Sequence, residues 1–141
     1  MKTMKRRKAR EIALKVLYQR DVTKNDITAV LSDFWSANPE AEESIKNFAE
    51  LLSRGTCEKL GFLDDLISRI SRNWKLERMG YVDRNILRLA AYEIFFVEEV
   101  PPIVSINEGI EISKIYGGAD SPKFINGILN RVKEEREISQ R

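Results

Sequence analysis

Apolar residues recur at three- and four-residue intervals along nearly all of this chain. Ala9, Ile12, Ala13, Val16 and Leu17 fall at i, i+3, i+4, i+7 and i+8, one face of a helix predicted from about Lys5 to Asp21. Thr23–Asp26 reads as a turn, and Ile27, Val30, Leu31 and Phe34 form a second stripe. Pro39 marks the next start, with Glu40, Glu42 and Glu43 in a first turn where the helix dipole favours acids. Ile45, Phe48, Ala49, Leu51 and Leu52 carry that pattern towards Gly55. Leu60, Leu63, Leu66, Ile67 and Ile70 make another face, with a break at Asn73-Trp74.

The most apolar segment follows Gly80 and predicts the central core helix, from about Val82 to Val97, with Ile86, Leu87, Leu89, Ala90, Ile94 and Phe95 inside. Pro101-Pro102 ends it. Ser105 and Glu108 have the spacing of a capping box. Gly117-Gly118 stops that helix, and Ser121-Pro122 restarts the chain as N-cap and N1 proline. Ile125, Ile128, Leu129 and Val132 carry the last helix, before a charged tail expected to fray. Sustained period-2 alternation and Asn-Gly or Asp-Gly hairpin signals are missing. The prediction is all-α, six or seven helices in one domain spanning residues 1–141.

Charge changes the picture at one end. Lys2, Lys5, Arg6, Arg7, Lys8 and Arg10 put six cations and no acid in the first ten residues, whereas the other 131 hold 18 cations against 22 acids. A weakly acidic body with a basic arm points to an anionic partner at one place. Glu11 and Lys15 interrupt the apolar stretch behind the arm, so a secretory signal is not expected. Neither is a membrane span. Lone Cys57 fits a reducing compartment, and the expected location is cytoplasmic.

Catalytic chemistry is poorly supplied. Without histidine the commonest general base is missing, and Cys57 has no second cysteine for a zinc site. Adjacent acids Asp64-Asp65 and Glu42-Glu43 point in different directions on a helix, and no phosphate-cradling glycine loop is present. Neither enzyme activity nor a cofactor or metal is expected.

Two segments suit nucleic acid instead. On a helical wheel Arg7, Arg10, Leu14 and Tyr18 share a stripe with Arg6 close by, while Lys8 and Lys15 point elsewhere. Arginine binds phosphate bidentately, and tyrosine stacks on an unpaired base. "GGADSPKFING", residues 117–127, combines a helix N-terminus with Lys123 and Phe124, although Asp120 opposes an anion there. Taken alone, the arm is equally a solvated terminus, and the second segment reads first as Phe124 in the core with the glycines as turn residues.

"RRKAREIALKVLY" near the start, "DRNILRLAAYEI" at 83–94, "INEGIEISKIYG" at 106–117 and "DSPKFINGIL" at 120–129 resemble the NusB family in order and spacing. The resemblance implies two packed three-helix bundles. It also implies an antitermination factor that binds single-stranded boxA RNA of nascent ribosomal RNA transcripts. The partner implied is NusE, a small-subunit ribosomal protein, within an RNA polymerase antitermination complex; a homodimer stays open. RNA contacts are implied at Arg6, Arg7, Lys8, Arg10, Tyr18, Asp120, Lys123 and Phe124, and partner contacts at Glu77, Arg78, Asp83 and Arg84. Gly109 and Ser113 stand where the family commonly has alanine, Pro122 where it has glycine or a polar residue, and Lys8 keeps the charge without arginine's fork. The alternative reading is a helical protein-binding adaptor without RNA specificity.

Overall fold

A computed structural model describes residues 2–72 and 74–140, so the break expected at Asn73 lies outside the described residues. Among these it contains seven α-helices, one 3₁₀ turn and no strand. The chain divides into two compact units, Met1–Glu58 and Lys59–Arg141.

The first unit is a three-helix bundle of α1 (Lys2–Thr23), α2 (Ile27–Ala37) and α3 (Glu43–Glu58). Helix α1 packs mainly on α3 and also on α2. Ala9, Ile12, Val16, Val30, Leu31 and Ala49 form a buried cluster, flanked by half-buried Phe34, Trp35, Ile45 and Phe48. The turn into α2 is set by Lys24 at φ 62°, whose amide donates to the Arg20 carbonyl at 2.7 Å. Asp26 caps α2, accepting from the Thr28 amide at 3.1 Å.

The second unit holds α4 (Leu60–Ile70), the 3₁₀ turn Leu76–Arg78, α5 (Tyr81–Phe96), α6 (Pro102–Tyr116) and α7 (Ser121–Ser139). Helix α5 is its centre, packed against α4, α6 and α7, and Ile86, Leu87, Leu89, Ala90 and Ile94 are buried as expected. Phe95 is half-buried. At Gly109 on α6, a Cβ would lie 3.2 Å from Leu129 Cδ1 and 3.6 Å from Ala90 Cβ. Glycine there lets α6 approach both neighbours closely, so the departure from alanine tightens packing. Ser113 is fully buried and donates to the Ile110 carbonyl at 2.7 Å. Arg88, also buried, clamps α5 to α4 through a two-pronged contact with Asp64, at 2.8 and 3.0 Å.

Several boundaries move for local reasons. Helix α3 begins at Glu43, because Pro39 and Glu40 form a turn, closed by the Ala41 amide donating to the Asn38 carbonyl at 3.2 Å, instead of the helix start expected at Pro39. Gly55 is buried within α3, and Leu51 faces solvent. The capping box at Ser105 is wrong: α6 starts three residues earlier, with Pro102 in its first turn. Ser105 is an interior helical residue whose buried hydroxyl donates to Glu93 at 3.2 Å. Likewise Asp120, not Ser121, takes the N-cap position of α7, and its side chain makes no capping bond. The charged tail stays helical to Ser139, helped by the i,i+4 pair of Lys133 and Glu137 at 2.9 Å.

Candidate nucleic-acid interface

The arm belongs to the first unit and is helical from Lys2. Its first turn contains no acid, so the helix dipole and the cations repel one another. Two contacts, one with Glu42 just before α3 and one with Phe48 within it, offset this. Lys5 Nζ pairs with Glu42 at 2.6 Å, and the Arg6 guanidinium lies 4.1 Å from the centre of the Phe48 ring. Hydrogen bonds from Lys5 and Ser44 hold the Glu42 carboxyl below its usual range. Lys2, Lys5, Arg6, Ser44 and Phe48 line a cleft of about 350 Å³.

The structure corrects the expected exposed stripe. Arg10 is only 3% exposed, with its guanidinium 5.5 Å from the Phe48 ring centre, and Leu14 is buried as well. Phe48, supplied by α3, draws that edge of α1 inward. Arg6 and Arg7 are half-buried, Lys8 is exposed and Tyr18 is 40% exposed. The accessible positive surface of α1 therefore runs through Lys5, Arg6, Arg7 and Lys8.

The remaining expected residues lie in the second unit. Ser121, almost fully buried, joins the start of α7 to the start of α5: its hydroxyl donates to Asp83 Oδ1 at 2.7 Å and accepts from the Gly118 amide at 2.9 Å. Gly117 is required beside it, since a Cβ would lie 2.6 Å from Ser121 Oγ and 2.8 Å from the Ser113 carbonyl. This latch shapes a cleft of about 390 Å³ whose lining includes Arg78 and Asp83 together with Asp120 and Phe124. Residues expected to face RNA and residues expected to face a protein thus share one depression. Phe124 is half-buried, its ring edge-to-face with Trp74 at 6.0 Å between centres. Asp120 and Lys123 are exposed. Glu77 is exposed on the 3₁₀ turn, and the Arg84 guanidinium stacks 4.5 Å from the Tyr81 ring centre. Sequence reasoning missed Phe48 and Trp74. Phe48 was absorbed into an apolar stripe, and Trp74 into a helix break.

No group of three or more potential metal ligands is found among the described residues, and no described helix is long and apolar enough to cross a membrane.

The transcription antitermination protein NusB of Pelotomaculum thermopropionicum is 46% identical over 134 residues, covering 95% of this chain and 92% of that protein. The structure of T. maritima NusB superposes with a TM-score of 0.85 at 40% identity, over 92% of this chain and 91% of the other. A chain from a crystal structure of antitermination factors NusB and NusE in complex with double-stranded RNA shares the fold, with a TM-score of 0.84 at 23% identity over 94% and 98% of the two chains. The NusB family pattern matches residues 7–134, from the arginine-rich start of α1 to within α7, and the chain belongs to the NusB family.

Proposed function

We propose that this protein is a cytoplasmic, non-enzymatic transcription antitermination factor that binds single-stranded boxA-type RNA of nascent ribosomal RNA transcripts together with NusE. Family membership across residues 7–134 is the observation that carries the reading. The whole of residues 1–141 acts as one RNA-binding domain to which each unit contributes a patch. On the first unit, Arg6, Arg7 and Lys8 meet phosphates, and Tyr18 offers a ring to an unpaired base. On the second, Lys123 and Phe124 supply charge and a stacking surface, while Asp120 restrains binding by its charge. Arg10 acts from within, holding the arm against Phe48, and does not reach phosphate itself. Glu77, Arg78 and the exposed edge of Asp83 face the protein partner, with Arg84 fixed behind them.

The test is a titration of a short single-stranded boxA-type RNA with and without purified NusE, with duplex RNA as competitor because the related NusB–NusE complex contains double-stranded RNA. Salt-dependent binding that NusE strengthens, and that duplex competes poorly, is expected. Partner binding with no RNA binding under either condition favours the protein-binding adaptor.

A further inference from the structure

Phe124 and Trp74 line a further cleft besides the one that includes Asp83. It has a volume of about 350 Å³ and is lined also by Arg72, Lys123, Gly127 and Arg131 among others. Three cations and two aromatic rings line it, and no carboxylate does. Trp74 is 58% exposed, a large apolar surface to leave in water. It is nevertheless held in place. Its amide donates to the Ser71 carbonyl at 2.7 Å, and the Ser71 hydroxyl lies 3.0 Å from the Trp74 carbonyl and 2.7 Å from that of Ile67. Its ring meets Phe124 edge-to-face, inclined by 73°. Arg131 is anchored at one end, donating to the Ile70 carbonyl at 3.2 Å.

We infer that this cleft is a further nucleotide subsite for single-stranded RNA, with the exposed face of Trp74 stacking on a base and Arg72, Lys123 and Arg131 meeting the adjoining phosphates. It rests on the RNA-binding reading above and extends it from Lys123 and Phe124 to Arg72, Trp74 and Arg131, which that reading does not use. A pre-positioned indole is sequence-tolerant because every base has a π-face, and the acid-free cationic rim suits a polyanion. An acidic peptide would satisfy the cations but leave the indole face without its natural partner.

The experiment uses the full chain and a 12-nucleotide single-stranded RNA. Trp74→Ala should weaken binding about 5- to 150-fold, and Trp74→Phe should restore much of it. Arg72→Ala should lower the log–log salt slope by about 0.7. RNA should quench tryptophan emission in the native protein and much less in Trp74→Phe, where only Trp35 remains. Melting should stay within a degree or two of the native value for all three variants, because both side chains are exposed. Native-like affinity and salt slope in these variants, with emission unchanged by bound RNA, would overturn the subsite and leave RNA binding by the arm standing. A native protein that binds no single-stranded RNA overturns both. Loss of NusE binding in Trp74→Ala with RNA affinity intact assigns the cleft to protein and also overturns the inference.

Discussion

Replacing Ser121 by alanine removes one oxygen that serves two partners. The bond to Asp83 ends on a carboxylate, a class of hydrogen bond worth about 1.5–3 kcal/mol, whereas the Gly118 amide is exposed enough for water to replace its acceptor. Asp83 is also partly exposed, which places the loss at about 2 kcal/mol. For a chain of this size that corresponds to a fall in melting temperature of about 5–8 °C. Asp83→Asn keeps an acceptor and loses only charge assistance, so about 1 kcal/mol is expected. Asp83→Ala combined with Ser121→Ala should cost less than the sum of the single changes, because both remove the same bond. Gly117→Ala cannot be rescued by Ser121→Ala, since its Cβ would still lie 2.7 Å from Ser121 Cβ and 2.8 Å from the Ser113 carbonyl. Thermal melts followed by far-UV circular dichroism, with the double-mutant cycle, measure all of this. A Ser121→Ala protein melting within 1 °C of the native one, or additive single changes, would refute the latch. For the same reason Asp83→Lys should destabilise the fold as well as alter the partner face. Glu77→Lys is the cleaner probe.

Arg6→Ala and Arg7→Ala should each lower the RNA salt slope by about 0.7, with a modest loss of melting temperature for Arg6→Ala because its guanidinium stacks on Phe48, whereas Arg10→Ala should lower melting and change the slope little; equal slopes for all three variants would contradict the burial of Arg10. Glu42 is held low by Lys5 and Ser44, so its stabilising pairing is complete above the ordinary carboxylate range of about 4.5 and is lost as pH falls through the lowered folded value. Glu42→Gln should therefore flatten the acid limb of a melting-versus-pH curve, and should strengthen RNA binding by freeing Lys5; an unchanged acid limb would count against the pairing. Asp120→Asn should tighten RNA binding without moving the melting temperature, as the side chain makes no capping bond; weaker binding would show that Asp120 contacts the RNA directly.

Helix identity was legible because each apolar stripe has the 3.6-residue period and buries at least part of its length, although Leu51 faces solvent. Cap chemistry was not. Ser105 and Glu108 have capping-box spacing, but the fold uses the serine hydroxyl on Glu93 from a neighbouring helix, and local spacing holds no record of that. The arm shows the same limit. A wheel drawn on α1 alone places Arg10 beside the apolar face, and only the position of Phe48, 38 residues further on, decides that it goes under. Trp74 was invisible as a surface feature, since an aromatic residue in a break between helices reads as core until its exposure is known.

The buried cluster of the first unit runs from Ala9 to Ala49, and the chain passes from one unit to the other once, between Glu58 and Lys59. Synthesis from the N-terminus therefore delivers every component of that core before α5 has been made. The loops to be closed are short, and the partners are already present when each helix emerges. The residues that seat the basic arm, Glu42 and Phe48, are thus all translated before the second unit begins.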